Sequence, residues 1–247
     1  MRFGQVLFEG ASAAHQDVID RYVFEGGEVE PERLARVWRD AGRGLQWRLP
    51  HYRRLFDELR KLNQSLPLGR RVRLLGGAPP IPWNTMRSPA ELAPWIDRKG
   101  WMHARLRALA GEERSTLAVY GRHHCERLRF DSTQDLGPAV RSALSVGPSE
   151  DTEFRRRLGL PDTNPQIVAM GAARGRELVR DTWGEGHLFR GSRFDEIADL
   201  VISYGGLDHR VFVVHEEDLP PNELDELRRR DEWMAIALSA SPSEASR

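Results

Sequence analysis

The chain has 247 residues, which is enough for one large α/β domain or two small ones. Hydrophobic residues make up 40%, so a sizeable core can form, and 37 Lys plus Arg balance 37 Asp plus Glu. A neutral chain has no overall field to draw nucleic acid or an anionic membrane, and the single cysteine, Cys125, excludes an internal disulfide and suits a reducing compartment.

The first residues, MRFGQVLFEG, have neither the apolar core nor the small-residue cleavage site of a signal peptide. The longest apolar runs are strand-sized, far short of the ~20 residues that span a bilayer. The expectation is therefore a cytoplasmic protein with no membrane partner.

In chain order, a short apolar run from Gln5 to Phe8 reads as a strand ending in Glu9-Gly10. A helix follows, with Ala14, Val18, Ile19 and Tyr22 on one face. Asp17 and Arg21, four residues apart on it, read as an exposed ion pair. Pro31 marks the start of a second helix with Leu34, Val37 and Trp38 at helical spacing, and Pro50 the start of a third reaching Leu62. Arg71 to Leu75 reads as a strand closed by Gly76-Gly77 and the Pro79-Pro80 turn. Ser88-Pro89-Ala90-Glu91 reads as a capping box opening a helix to about Leu109, with a break at Gly100.

Ser115 to Tyr120 is the clearest buried strand in the sequence. Gln166 to Met170, Asp199 to Tyr204 and Val211 to His215 are further apolar runs, and Glu223 to Leu238 reads as a closing amphipathic helix. Strands alternating with helices predict an α/β fold: a mainly parallel sheet with helices packed on its faces. One domain over residues 1–238, with a polar tail at 239–247, accounts for the chain. In such sheets ligands bind beyond the carboxyl ends of the strands, which directs attention to Glu9-Gly10, Gly76 to Trp83, Gly121 to Cys125, Gly171 and Gly205-Gly206.

Gly121-Arg122-His123-His124-Cys125 follows the best strand directly. A histidine there can act as a general base or a metal ligand, although two adjacent histidines do not readily face one site. The same residues also make an ordinary polar turn. Glu9 can orient a histidine, bind a metal or move a proton, and an acid before a helix is equally at home in the helix dipole. Glu185 and His187 sit in a Gly-rich stretch with no strand before it and read as a loop. Cys125 beside two histidines has no other support as a nucleophile. The sequence has no Gly-x-Ser-x-Gly elbow, no paired-cysteine zinc spacing, no Walker loop and no His-Glu-x-x-His.

Several blocks together resemble the erythromycin-esterase/ChaN-like superfamily, which includes the Tiki proteases. Glu9 to Tyr22, EGASAAHQDVIDRY, is similar to a strand-end Glu followed by a helix closing in Gln-Asp-x-x-Asp-Arg-Tyr. Leu34 to Trp38 resembles the next block, Leu-x-x-Val-Trp. Leu62 to Trp83 resembles a segment ending in Leu-Leu-Gly-Asp-Pro-Pro-Ile-Asp-Trp, and Gly121 to His124 resembles Gly-x-x-His after a strand. Phe194 to Gly206 and Leu224 to Arg230 extend the likeness over nearly the whole chain.

The resemblance implies an α/β fold with the site at the strand ends, Glu9 as the strand-end acid and His124 as the second-half histidine. The first-half Gly-Glu-x-x-His is missing upstream of Glu9, and Ala78 and Pro82 replace the two aspartates of the Pro-Pro turn. These departures suggest a degenerate site, an altered substrate or a shortened reading frame.

The leading expectation is a hydrolase acting on an ester, lactone or amide of a small molecule. His124 serves as base or metal ligand, Glu9 assists or shares a divalent metal, and Arg122 steadies the oxyanion. The alternatives are a haem- or metal-binding protein built on His124, and a non-catalytic interaction domain of the same fold.

Overall fold

The computed structural model describes residues 4–42, 50–110, 112, 114–120, 143–145, 166–169, 200–203 and 219–240. They fall into two units, Met1–Val119 with Phe212–Arg247, and Tyr120–Val211. The fold is α/β, as the alternation of elements predicts.

In the first unit, β1 (Gln5–Ser12) is buried along its whole length and is the central strand of a parallel sheet ordered β2-β1-β3. β2 is Arg73–Ala78 and β3 is Thr116–Val119. A central parallel strand covered on both faces carries continuous apolar sequence, which is what Val6-Leu7-Phe8 supplies. The period of two turns Val6, Phe8 and Leu74 toward one face. There they form a core with Val18, Ile19, Val37 and Phe56. The helices supplying that core are α1 (Gln16–Ile19), α2 (Pro31–Arg39) and α3 (Pro50–Gln64). The opposite face carries Leu7 and Leu75, both buried, while α4 (Arg98–Ala110) packs along β2 and β3 with Met102 and Leu109 buried.

The last described helix, α5 (Pro221–Ala240), belongs to this unit although it is remote in sequence. Met234 and Ala237 close a second apolar cluster with Ile81, Trp83, Met86 and Leu92. Among the described residues no helix is long and apolar enough to cross a membrane.

In the second unit, β4 (Ala143–Ser145) runs parallel to β6 (Leu200–Ser203), and β5 (Gln166–Ala169) runs antiparallel to β6. The mainly parallel pairing expected from sequence thus holds for three of the four described ladders, with one antiparallel edge. The expected strand Val211 to His215 and the tail from 241 lie outside the described residues.

Local expectations fare unevenly. Pro31 and Pro50 do open helices. The helix expected after Glu9 is a composite: a 3-10 turn at Ala13–His15, then α1, then a π turn at Asp20–Phe24. Val18, Ile19 and Tyr22 are buried as expected, but Ala14 is exposed because it lies on the 3-10 turn and falls off the helical face. Asp17 and Arg21 do not pair. Asp17 faces Arg33 at 3.5 Å, and Arg21 donates to the Glu28 carbonyl at 3.1 Å. Gly26, at φ +77, takes the left-handed conformation that turns the chain away from the π turn.

Glu91 does reach back, accepting from the Arg87 N–H, but the element it opens is a 3-10 helix, Pro89–Trp95, with Pro94 inside. The break then falls at Ile96-Asp97, before Gly100. The Asp97 carboxylate accepts from the Gly100 N–H at 2.7 Å and starts α4 afresh. The strand expected to be the most buried, β3, leaves Leu117 and Val119 41% and 40% exposed. Among the described residues β3 is an edge strand, paired to β1 on one side only.

Candidate active site at the end of the first strand

β1 pairs in regular register with β2 and β3 up to Phe8, which lies opposite Gly76 and Val119. Beyond Phe8 the register with β2 shifts, and regularity returns only at Ser12 opposite Ala78. Glu9 therefore lies inside β1 rather than after the strand, as the sequence suggested, and is the first residue beyond its regular pairing. Two glycines make this geometry possible. A Cβ at Gly77 would lie 2.6 Å from the Phe8 carbonyl carbon, and one at Gly76 2.6 Å from the Ala13 backbone.

The chain leaves the sheet through a short, tightly held turn. Ser12 Oγ accepts the Ala14 N–H at 3.3 Å and caps the 3-10 turn. Gln16 then pairs with β2 as a neighbouring strand would: its Nε2 donates to the Leu74 carbonyl and its Oε1 accepts the Gly76 N–H, both at 2.9 Å. Between these two anchors lies His15, whose side chain is 18% exposed.

His15 Nε2 lies 2.7 Å from Asp40 Oδ2, the residue just past the end of α2. Asp40 Oδ1 takes a second partner, Arg230 of α5, at 2.9 Å. Burial pushes the Asp40 carboxyl up, but the His15 hydrogen bond and the Arg230 charge outweigh it and hold the group below its ordinary value of 3.8. Asp40 is thus an ionised acceptor at neutral pH. An ionised carboxylate only accepts, so the Nε2 position of His15 carries the proton and a neutral ring keeps its lone pair on Nδ1. Nδ1 has no hydrogen-bond partner among the described residues.

Arg230 is itself fixed on all sides. Its Nε donates to Glu226 Oε1 at 2.7 Å and its Nη1 to the Arg39 carbonyl at 2.9 Å, and its guanidinium lies 4.7 Å from the centre of the Trp83 ring. Glu9 lies in the same region: its Oε1 is 4.0 Å from Arg98 Nη2, which also donates to the carbonyl of Ala41, the residue after Asp40.

The site residues expected from sequence are only partly placed. Glu9 is buried at this strand end beside Arg98. His124 and Arg122, with His123, Cys125, Glu185 and His187, lie outside the described residues. His15, Asp40 and Arg230 carried no distinguishing signal in sequence. His15 stood unremarked inside the block from Glu9 to Tyr22, Arg230 only closed the block from Leu224, and Asp40 was not singled out.

The described carboxylates do not make a metal-binding set. Glu9 and Asp40 each face an arginine, and no group of three or more His, Cys, Asp or Glu is gathered to hold an ion among the described residues. The arrangement that does exist is a base with an orienting carboxylate: an imidazole with one nitrogen anchored and the other open. Comparison of the chain with known protein families, characterised proteins and solved structures gives no match.

Proposed function

We propose that this chain is a hydrolase acting on an ester, lactone or amide of a small molecule, with His15 as general base. The observation that supports it is the His15–Asp40 pair at 2.7 Å, which leaves Nδ1 as the basic atom on a ring that is 18% exposed. In the step proposed, a water gives its proton to Nδ1 as its oxygen bonds the carbonyl carbon. The carbonyl π electrons move to oxygen. Collapse of that adduct breaks the bond to the leaving alcohol or amine, which takes the proton back from His15. Glu9, buried beside Arg98, lies in the same region. His124, the second-half histidine that the resemblance implies, and Arg122, the oxyanion partner expected from the sequence, lie outside the described residues. The single cysteine supports a cytoplasmic setting.

The test is hydrolysis of a panel of nitrophenyl esters, lactones and aryl amides by wild type, His15→Gln and His124→Ala. Loss of a general base costs about 100-fold or more in turnover. Wild-type turnover in His15→Gln would refute the assignment of the base, and wild-type turnover in His124→Ala would remove that residue from the site.

A further inference from the structure

We propose that Arg230, brought in by α5, is a positioning residue for His15: it fixes the rotation of the Asp40 carboxylate, so that Oδ2 is aimed at Nε2 and Nδ1 is left open. The inference rests on the base role given to His15 above. A carboxylate turns about a broad, soft terminal torsion, and one hydrogen bond leaves that rotation loose. Asp40 splits its oxygens, Oδ2 to His15 at 2.7 Å and Oδ1 to Arg230 at 2.9 Å, which removes the freedom. The Asp40 and Arg230 side chains are each 5% exposed, so water has little access to the contact between them.

Arg230 suits the task because it cannot swing away. Its Nε, Nη1 and Nη2 are each committed, to Glu226, the Arg39 carbonyl and Asp40, and Trp83 lies beneath the plane. A planar fork with fixed donor directions transmits orientation in a way a single ammonium does not.

Docking of α5 does not depend on this contact alone. Arg39 also pairs with Glu223, and Met234 and Ala237 are packed against Ile81, Trp83 and Leu92. A purely structural Arg230 would duplicate those contacts. The polar reach from α5 into the His15 pair would then have no consequence for the ring.

The experiment uses the full-length chain with ¹⁵N-labelled histidine and reads the tautomer of His15 by NMR, assigned by its absence in His15→Gln. In wild type the ring is expected as the Nε2–H form. In Arg230→Gln the two tautomers are expected to mix, and kcat on the best ester to fall about 10- to 100-fold with KM unchanged, the effect of a misplaced catalytic group. Arg230→Lys, which keeps a cation near Asp40 but lacks the fixed fork, is expected to restore the Nε2–H form only in part. A folded Arg230→Gln that keeps the pure Nε2–H form overturns the proposal. So does an Nδ1–H ring in wild type, which needs no variant to fold. If the tautomer responds as expected while no ester, lactone or amide is turned over, the positioning role stands and the hydrolase reading falls.

Discussion

Replacing Gly76 by alanine tests the packing that holds His15 in place. The added Cβ would lie 2.6 Å from both the Cα and the N of Ala13 and 2.8 Å from the Ser12 carbonyl carbon. That is 0.8 Å inside the 3.4 Å at which ordinary contact begins. All three atoms are backbone, so no side chain can rotate away. The backbone is also held, by the Ser12 cap at 3.3 Å and by the two Gln16 bonds at 2.9 Å. Relief requires β2 and the 3-10 turn to separate, which breaks either a sheet contact or the Gln16 anchor. Overpacking of this kind costs about 3 kcal/mol, at the upper end of its usual range, which is roughly a 100-fold change in the folding equilibrium.

In urea, the midpoint should fall by about 1 M or more. Gly69→Ala is the matched control, because a Cβ there meets no atom within 4 Å. Its stability should stay within about 1 kcal/mol of wild type, tending upward, since alanine restricts the unfolded chain. A Gly76→Ala protein as stable as wild type would refute the close approach of β2 to the turn, and with it the account of how His15 is placed.

Asp40→Asn removes the charge shared by His15 and Arg230 and leaves the buried guanidinium without its carboxylate. At pH 7 it should cost about 3 kcal/mol or more in urea unfolding. Because the Asp40 carboxyl is held below 3.8 in the folded protein, its contribution is complete above that pH and is lost as the pH falls below it. The gap between wild type and Asp40→Asn should therefore narrow from pH 7 to pH 3, and a constant gap would mean that the charge is not what stabilises. Phe56, fully buried and edge-on to Phe8 and Trp38 at 6.4 and 5.7 Å, should cost about 3–5 kcal/mol as alanine. Phe56→Leu should retain most of the stability, which thermal or urea unfolding would show directly.

The sequence made the scaffold easier to read than the site, for identifiable reasons. Pro31 and Pro50 mark helix starts because proline has no N–H to lose there, and the short apolar run at Val6 marks a strand. Those are local signals. The composite helix after Ser12 is not local: its 3-10 and π turns come from anchors on β2, namely Gln16 on Leu74 and Gly76, and Asp20 on Arg73 at 2.6 Å. β3 misled for a related reason, since an apolar tetrapeptide does not say whether a strand is central or at an edge. At the site, Glu9 was legible because it follows an apolar run. The partner of His15 lies 25 residues away, and Arg230 reaches the Arg39 carbonyl across 191. No spacing rule connects residues that meet only when α5 returns to the sheet.

That return has a consequence for synthesis. The first unit is made of two stretches separated by the whole of Tyr120–Val211. A ribosome therefore extrudes β1, β2 and β3 long before the helix that covers Trp83 and Ile81 exists. During that interval the nascent chain carries an uncovered apolar surface and a half-built ion network, the state in which chaperones are recruited and aggregation begins. A chain interrupted between Asp40 and Pro221 would hold His15 and Asp40 yet lack Arg230, so the His15–Asp40–Arg230 network is complete only after α5 has been made.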